Sequence, residues 1–412
     1  MKNVHKSQMT QLFTSHKCQL FAFVSSVTFL FGLVASSAQG GETSVPPPQE
    51  VARRIAGQFL TTEPDAYQPA GMTRHSYVYG LHEYVHYATV TLWVNALECA
   101  RLAGDADMER RLVDAYGKMA REKPYVFHGI KHVDFEVTGA LPLEVAILAG
   151  NKEAGRRGLW YADRQWERPT AEDNNLKQVQ PLEKRMEWWN AGYTSETRLW
   201  LDDMYMISLL QLNAYRYTGD SKYLYRTARE MALYLDRLPR RGSLYFHAPE
   251  APYAWARGNG WMAASMAMVL RELGEDYPCR AKILAEYRAM MAELLRFQRK
   301  SGLWGQLVDD AESWDETSGS AMFAYAIAEG VNRGLFADGE QGTAAYVTAR
   351  DRAYAALVSR LDERANLAGV CVGTGARNDR EWYMKRARIN GDPHGQAPLL
   401  WLCRAMMEAG SK

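Results

Sequence analysis

Several features that would assign this chain to a common class of protein are missing from its sequence. Its 49 lysines and arginines nearly balance its 48 aspartates and glutamates, so the formal charge at pH 7 is only +1. This balance argues against a nucleic-acid-binding protein and against a polybasic membrane patch. With 47% hydrophobic and 24% charged residues, the composition is that of a globular chain rather than a disordered one.

Cysteine is scarce, and motifs for cofactors are few. Four of the five cysteines (Cys99, Cys279, Cys371 and Cys403) follow the N-terminal region without a C-x-x-C pair, so we expect buried thiols rather than a metal or redox motif. The chain has no P-loop, EF-hand loop or G-x-S-x-G elbow. Residues 258–263 fit G-x-G-x-x-A, but prolines precede them where a dinucleotide site needs a core strand.

One metal-binding pattern does occur, the H-E-x-x-H string at residues 82–86. On a helix this string places two histidines on one face, where they bind zinc with the glutamate as general base. Thr89 and Leu92 occupy the positions of the glycine and third ligand in the extended motif. Because so short a pattern often matches by chance, we expect no metal here.

The N-terminus resembles an export signal. Residues 1–17 are basic and lack acids, Leu20–Val34 is largely apolar, and residues 35–38 are small. These parts, in this order, predict a secretory signal peptide at residues 1–38. A membrane anchor is the alternative, but the apolar run is shorter than the ~20 residues of a spanning helix. We expect a secreted or periplasmic protein without a stable membrane anchor after cleavage.

After the signal peptide we expect a linker, residues 39–48, and a single domain, residues 49–412. Helical spacing of apolar residues dominates that domain, and residues 369–374 are the best candidate for a short strand. Amphipathic helices, which should face solvent, are predicted at Met108–Glu122, Ser221–Arg237, Cys279–Arg299 and Thr343–Glu363. Helices that are apolar on nearly all sides, and so buried, are predicted at Tyr84–Ala103, Gly139–Gly150, Leu201–Thr218, Gly260–Leu273, Ser318–Gly334 and Gln396–Gly410.

The buried helices recur at intervals of roughly 60 residues, which indicates a repeat of helix hairpins. Six buried helices, each paired with an outer helix, predict an all-α fold, an (α/α)6 barrel of six helix hairpins. An open solenoid is the alternative. Its repeats contact only their neighbours, so helices buried on all sides fit a closed ring better.

Polar and aromatic motifs precede or open five inner helices. They are His132–Asp134, Trp200–Asp203, Arg257–Trp261, Trp314–Gly319 and Gly391–Gln396. Alternating hairpins make the inner helices parallel, so these motifs should share one rim. Helix N-termini carry partial positive charge, and such a rim suits an anionic ligand such as a carboxylated sugar.

Asp202 and Asp203 are the most informative acids on this rim. Adjacent helical residues point about 100° apart, so only one can face the cavity squarely. Burial would raise the pKa of that carboxyl group and allow it to donate a proton near neutrality. A carboxylate that merely complements the helix dipole is the alternative.

Arg257 is suited to pair with a carboxylate, and Trp255 and Trp261 flank it. The two indoles either support a sugar ring or pack in the core. His247 lies in a loop, where an isolated histidine is more often structural than catalytic.

Four longer stretches are similar to one group of enzymes. They read LWLDDMYMISLLQLNAYRYTGDSKYL, LYFHAPEAPYAWARGNGWMA, SGLWGQLVDDAESWDETSGSAMFAYAIAEGV and GDPHGQAPLLW. The chain resembles glycoside hydrolase families 88 and 105, the unsaturated glucuronyl and rhamnogalacturonyl hydrolases. The resemblance implies an (α/α)6 barrel, no metal or other cofactor, and unsaturated uronyl oligosaccharides as substrates, with pectin or rhamnogalacturonan fragments favoured.

The resemblance also implies the reaction and its residues. A carboxylic acid protonates C4 of the 4,5-unsaturated uronic acid and then deprotonates the attacking water, so the two-carboxylate geometry of ordinary glycosidases is not required. By motif, Asp202 is the acid/base, Asp203 is its competing neighbour, and Asp134 assists. The implied or expected substrate-binding residues are His247, Arg257, Trp261, Trp255, Trp200 and His394.

The sequence leaves the substrate specificity and several alternative functions open. From its position alone, the loop of residues 372–388 is expected to determine subsite specificity. A conventional inverting glycosidase, a uronate lyase and a non-catalytic sugar-binding protein are the competing interpretations.

Overall fold

The computed structural model describes residues 45–62, 84–127, 129–173, 180–336 and 342–410, which fall within one unit, Val45–Lys412. The predicted signal peptide lies outside the described residues and stays a prediction. The helices, numbered along the chain, are α1(Pro48–Phe59), α2(Tyr87–Leu102), α3(Ala106–Glu122), α4(Val133–Glu136), α5(Ala140–Ala149), α6(Lys152–Arg164), α7(Leu182–Asn190), α8(Leu201–Thr218), α9(Ser221–Arg237), α10(Ala256–Glu272), α11(Arg280–Phe297), α12(Thr317–Asn332), α13(Gly342–Val358), α14(Arg380–Met384) and α15(Pro393–Gly410).

Helices α2, α5, α8, α10, α12 and α15 form a closed inner ring. Each packs against the next in this order, and α15 packs against α2. Helices α1, α3, α6, α9, α11 and α13 lie outside them. The predicted all-α (α/α)6 barrel is therefore confirmed.

The sequence explains this layering. Residues 256–270 of α10 are all buried, as expected for a helix surrounded by other helices. On the outer helix α9, buried Met231 and Tyr234 share a face while exposed charges occupy the other. Outer helices also carry strong start signals: Asp105 Oδ1 accepts a hydrogen bond from Met108 N at 3.1 Å, and Asn151 Oδ1 accepts one from Ala154 N at 3.0 Å.

Two outer helices, α1 and α6, were not assigned from the sequence. Helix α1 begins at Pro48, the last residue of the predicted linker, because proline suits the first turn of a helix. In α6, glycines obscure the helical pattern but allow close packing. A Cβ atom on Gly158 would lie 2.4 Å from Leu143 and 2.7 Å from the carbonyl oxygen of Gly139.

Short antiparallel hairpins lie before the inner helices. The paired strands are β1(Arg240–Arg241) with β2(Leu244–Tyr245), β3(Trp304–Gly305) with β4(Asp315–Glu316), and β5(Val370–Cys371) with β6(Arg388–Ile389). Strand β5 falls inside the predicted strand, and β4 leads directly into α12. These hairpins bring loop residues to the end of the barrel where the inner helices begin.

The remaining expectations concern thiols and membranes. Cys99, Cys371 and Cys403 are free and buried, as predicted, whereas Cys279 is free and half-buried. Within the described ranges, no helix is both long enough and apolar enough to cross a bilayer.

Candidate active site

The N-terminal ends of the inner helices meet on one rim of the barrel. Tyr87 Oη on α2 lies 2.7 Å from His394 Nε2 on α15, and Arg257 Nη1 on α10 donates to Ser318 Oγ on α12 at 3.2 Å. Across this rim, the parallel arrangement predicted from the hairpins brings the sequence motifs together.

Asp202 lies in the first turn of α8, mostly buried on the rim. Its side chain is 14% exposed, and its Oδ2 atom lies 3.3 Å from His247 Nε2. Burial tends to raise the pKa of Asp202, but contact with His247 and the charges of Arg257 and Arg198 outweigh it and hold the pKa below its usual range. The expectation that burial leaves this carboxyl protonated near neutrality is therefore wrong for the ligand-free protein.

The surroundings of Asp203 indicate a structural role. Its side chain is fully buried, Arg198 Nε donates to Oδ1 at 2.9 Å, and Tyr234 Oη donates to Oδ2 at 2.7 Å. Tyr234 Oη also accepts from the backbone N–H of Leu199 at 3.2 Å, and Leu199 has a φ of 62°, which is strained for leucine. Asp203 thus holds the corner that leads into α8, while Asp202 is the acid available to a ligand.

Asp134 is a second carboxyl group on the rim. It lies in α4, its side chain is 30% exposed, and its Oδ1 atom is 3.6 Å from Arg198 Nη2. Burial and the charge of Asp202 raise the pKa of Asp134, against the opposing charge of Arg198. The backbone N of Asp134 lies 3.1 Å from His132 Nδ1, which caps α4. Asp134 is therefore the rim acid that holds a proton more readily.

His247 is buried and oriented from both ring nitrogens. Its Nδ1 atom lies 2.8 Å from Tyr383 Oη, and the backbone N–H of Arg377 donates to that same hydroxyl at 3.2 Å. The hydroxyl proton of Tyr383 is then free to bond to Nδ1, which favours a ring proton on Nε2, facing Asp202. Trp255 packs against the imidazole with ring centroids 4.5 Å apart.

Arg257 and its flanking tryptophans differ from the expected substrate contacts. Arg257 is 1% exposed, and its guanidinium donates to the carbonyls of Cys371 and Val372. Trp255 and Trp261 are fully buried, so they pack in the core and do not form an exposed platform. Trp261 lies within the buried helix α10, and Trp255 is the residue that precedes this helix.

Trp200 is the predicted indole that remains partly exposed. Its ring lies 5.6 Å from that of His247, and the Arg198 guanidinium lies 4.9 Å from its centroid. A sugar ring at Asp202 would have this indole beside it.

Both ring nitrogens of His394 contact side chains that the sequence analysis did not identify as site residues. Its Nδ1 atom lies 2.7 Å from Asp392 Oδ1, and its Nε2 atom contacts Tyr87 Oη. Burial, followed by the nearby negative charge of Asp134, raises the pKa of Tyr87.

The sequence analysis missed four site residues: Tyr87, Asp392, Arg198 and Tyr383. Asp392 lies within the Gly391–Gln396 motif and Tyr87 directly follows the string at residues 82–86, but no spacing pattern points to Tyr383.

The zinc hypothesis gains no support from the described residues. His82 and Glu83 lie outside them, and His86 caps α2, accepting a hydrogen bond from Ala88 N at 3.2 Å. Over the described ranges, no three histidine, cysteine or acidic side chains form a group that could hold a metal ion.

Known proteins match this chain in sequence and in fold. The unsaturated 3S-rhamnoglycuronyl hydrolase of Alteromonas sp. (strain LOR) is 30% identical over 151 residues, which are 34% of this chain and 37% of that protein. The unsaturated rhamnogalacturonyl hydrolase YesR of Bacillus subtilis (strain 168) is 29% identical over 217 residues, 50% of this chain and 60% of that protein. The chain thus spans about a third of the first relative and three fifths of the second.

A solved structure supports the fold over a greater length. The crystal structure of a possible GH105 family member from Salmonella enterica serovar Paratyphi A superposes with a TM-score of 0.70 at 17% identity, and covers 93% of this chain and 100% of that chain. The family model for Glycosyl Hydrolase Family 88 matches residues 82–409. The chain belongs to Glycosyl Hydrolase Family 88.

Proposed function

We propose that the protein removes the 4,5-unsaturated uronic acid from the non-reducing end of lyase-generated oligosaccharides by hydrating the C4=C5 double bond. The observation that carries this proposal is the partly exposed carboxyl group of Asp202, 3.3 Å from His247 and on the same rim as Asp134. The family and the names of the relatives support the class of substrate. Fragments of pectin or rhamnogalacturonan are the favoured source.

The proposed reaction needs one carboxyl group that both gives and takes a proton. Protonated Asp202 donates its proton to C4, and positive charge develops at C5, where the ring oxygen stabilises it. The resulting carboxylate removes a proton from water, and the hydroxide adds to C5. The hemiketal opens to a C5 ketone, and the hemiacetal left at C1 expels the next sugar as an alcohol.

Asp202 must gain a proton for this reaction although its pKa is low in the free protein. Binding of the uronate carboxylate brings negative charge to the rim and displaces water, and both effects raise the pKa of Asp202. Asp134 lies close enough to contribute in the same sense when it is ionised. Binding of the substrate thus raises the pKa of Asp202 and allows it to act as a general acid.

In this proposal Arg257 supplies positive charge and holds a neighbouring strand in place. Its two terminal nitrogens donate to the carbonyls of Cys371 and Val372, so its positive charge acts on the uronate through space and its hydrogen bonds hold the strand beside the site. Trp200, partly exposed beside His247, supplies an apolar face for the sugar ring.

The test follows the ultraviolet absorbance of the C4=C5 bond. Unsaturated oligosaccharides from pectin, rhamnogalacturonan, ulvan and glycosaminoglycan digests are incubated with the full chain, with saturated oligosaccharides as the matched control. Loss of absorbance on at least one unsaturated substrate, and none of the saturated controls cleaved, is expected. Unchanged absorbance on every substrate refutes the proposal, cleavage of a saturated control indicates a conventional glycosidase, and rising absorbance indicates a lyase.

The place of action is proposed to be outside the cytoplasm, because residues 1–38 have the parts of a signal peptide. N-terminal sequencing of the protein from its native host should begin at residue 39. A chain that begins at residue 1 contradicts export by cleavage.

A further inference from the structure

A cluster of positive charge that the proposed reaction does not use lies in the loop between β5 and β6. The guanidinium carbon of Arg377 lies 3.8 Å from the ring centroid of Trp382, and that of Arg386 lies 4.1 Å from the same centroid. We call Arg377, Trp382 and Arg386 the Trp382 cluster. Two cations therefore share one indole, and the indole is partly open to solvent.

The cluster is held in place by hydrogen bonds within its loop. Trp382 Nε1 donates to the carbonyl of Gly375 at 3.0 Å, and Arg386 Nε donates to Thr374 Oγ1 at 3.0 Å. A second N–H of Arg386 binds the carbonyl of Gly373. These bonds orient the indole and one guanidinium in advance of any ligand, which lowers the ordering cost of binding.

No carboxylate in the described part of the chain forms an ion pair with Arg377 or Arg386. Glu381 pairs with Lys385 at 3.1 Å, and Asp379 caps α14 by accepting from the N–H of Trp382 at 3.2 Å. The acids of the neighbouring loop are also engaged, since Asp310 and Glu312 both pair with Arg380. Two like charges over one ring repel each other, so an anion placed between or beside them would be stabilised.

The cluster is connected to the proposed active site. Tyr383, the next residue after Trp382, contacts His247 Nδ1 at 2.8 Å, and the backbone N–H of Arg377 donates to the same Tyr383 hydroxyl. Arg257 binds the carbonyls of Cys371 and Val372 at the base of the loop. A ligand that occupies the rim at Asp202 and extends past His247 therefore meets this loop.

From this geometry we infer that the Trp382 cluster forms a +1 subsite for a sugar that carries an anionic group, a sulfate ester or a carboxylate. The inference rests on the proposed function, because the +1 sugar is the one released from the unsaturated uronic acid. Trp382 offers a face to the sugar ring, and the two guanidinium groups bind the anion. The enzyme would then select among unsaturated oligosaccharides by the charge of their second residue.

The experiment compares substrates that share one unsaturated uronic acid and differ at the +1 sugar. One carries a sulfate ester, a second is its chemically desulfated form, and a third carries a carboxylate. We expect kcat/KM to be about tenfold higher for an anionic than for the neutral +1 sugar, and the difference to shrink as salt is added. The two anionic substrates show whether sulfate or carboxylate is preferred.

Variants assign the preference to the cluster. Arg377→Gln and Arg386→Gln should each remove most of the preference, mainly by raising KM for the anionic substrates. Lys385→Gln is the matched control, because this lysine lies in the same loop but is 77% exposed and paired with Glu381. Circular dichroism checks folding, and Arg377, which is exposed, keeps the test valid if Arg386→Gln unfolds the loop.

The outcomes separate the two proposals. Turnover without a preference for an anionic +1 sugar, or a preference that the arginine variants keep as fully as Lys385→Gln does, overturns the inference and leaves the hydration reaction intact. Absence of turnover on every unsaturated substrate overturns the proposed function, and the +1 subsite with it.

Discussion

Asp202 and Asp203 are adjacent on α8, yet their carboxyl groups have different surroundings. Asp202 Oδ2 faces His247 Nε2 across 3.3 Å on the open rim, whereas Asp203 is fully buried between Arg198 and Tyr234. The rotation of about 100° between successive helical residues separates them. The carboxyl group of Asp202 is available for catalysis. Asp203 stabilises the turn that leads into α8 and so positions Asp202.

The first prediction follows from this division. Asp202→Asn should abolish loss of ultraviolet absorbance, by at least about 10³-fold in kcat, because the amide can neither give nor take the proton. The free energy of unfolding, measured by urea denaturation, should fall less than in Asp203→Asn, since Asp202 is 14% exposed whereas Asp203 is fully buried.

Asp203→Asn is its counterpart on the same helix. It leaves the buried Arg198 with only Asp134, 3.6 Å away, as a carboxylate partner, and this should lower the free energy of unfolding by about 3 kcal/mol. Retained activity in Asp202→Asn would move the acid/base role to another residue, and unchanged stability in Asp203→Asn would contradict the structural role.

The second prediction concerns the support of His247. Tyr383→Phe removes the hydroxyl that contacts His247 Nδ1 and accepts from the N–H of Arg377. We expect kcat to fall about tenfold, because the imidazole loses the partner that sets its tautomer. Tyr253→Phe is the control, since its ring packs 5.3 Å from that of Tyr383 without contacting the histidine nitrogen. Equal effects of both variants on kcat would show that Tyr383 contributes only by packing.

Much of the architecture could be predicted because it depends on patterns that repeat. Apolar residues on every side of a segment require burial, and alternation with amphipathic segments requires two layers, so the ring and its rim followed from the sequence. Asp202 and Asp203 could be singled out because an acid at the start of a buried helix is costly unless it is paired or used. The choice of Asp202 and the role of Asp134 came from the resemblance to the family.

Side-chain direction and loop packing could not be predicted in the same way. Whether Asp202 or Asp203 faces the rim depends on the rotation of one helix, and the burial of Arg257 depends on a strand that lies 114 residues further along the chain. Tyr383 lies 136 residues after His247, and no periodic pattern connects them. The low pKa of Asp202 has the same origin, since it results from neighbours on other elements.

The third prediction is a dependence of stability on pH that comes from Glu230. Burial raises the pKa of Glu230 to about 8, against the hydrogen bonds from Thr197 and Thr194. Between its ordinary 4.5 and 8, the folded protein keeps a proton that the unfolded chain has released, so stability falls as pH rises through this range. Glu196, whose pKa burial raises to about 7, acts in the same direction.

Glu230→Gln should therefore flatten the dependence of the unfolding free energy on pH by about 1.4 kcal/mol for each pH unit between 5 and 8. The measurement is urea denaturation at a series of pH values. Glu153→Gln is the control, because that side chain is 75% exposed on α6. An identical slope in wild type and Glu230→Gln would show that Glu230 is ionised in the folded protein throughout.

The last prediction concerns the end of the barrel opposite the rim, where the inner helices finish. Glu329 on α12 is fully buried and pairs with Arg404, with Arg333 at 2.9 Å and with Arg271 at 4.0 Å. Although burial opposes ionisation, the charges of Arg404, Arg271 and Arg333 lower the pKa of Glu329 to about 2. Its contribution to stability is therefore complete above its ordinary pKa and is lost as pH falls toward 2.

Glu329→Gln leaves these arginines without their common carboxylate and should lower the unfolding free energy at pH 7 by about 3 kcal/mol. KM for the unsaturated substrate should not change, because the rim is at the other end of the inner helices. Glu408→Gln is the matched control: it also pairs with Arg404 and Arg333 but is 29% exposed, so its loss should cost under about 1 kcal/mol. Equal losses for both variants would mean that burial of Glu329 does not strengthen its ion pairs, and a raised KM would mean that the two ends of the barrel are coupled.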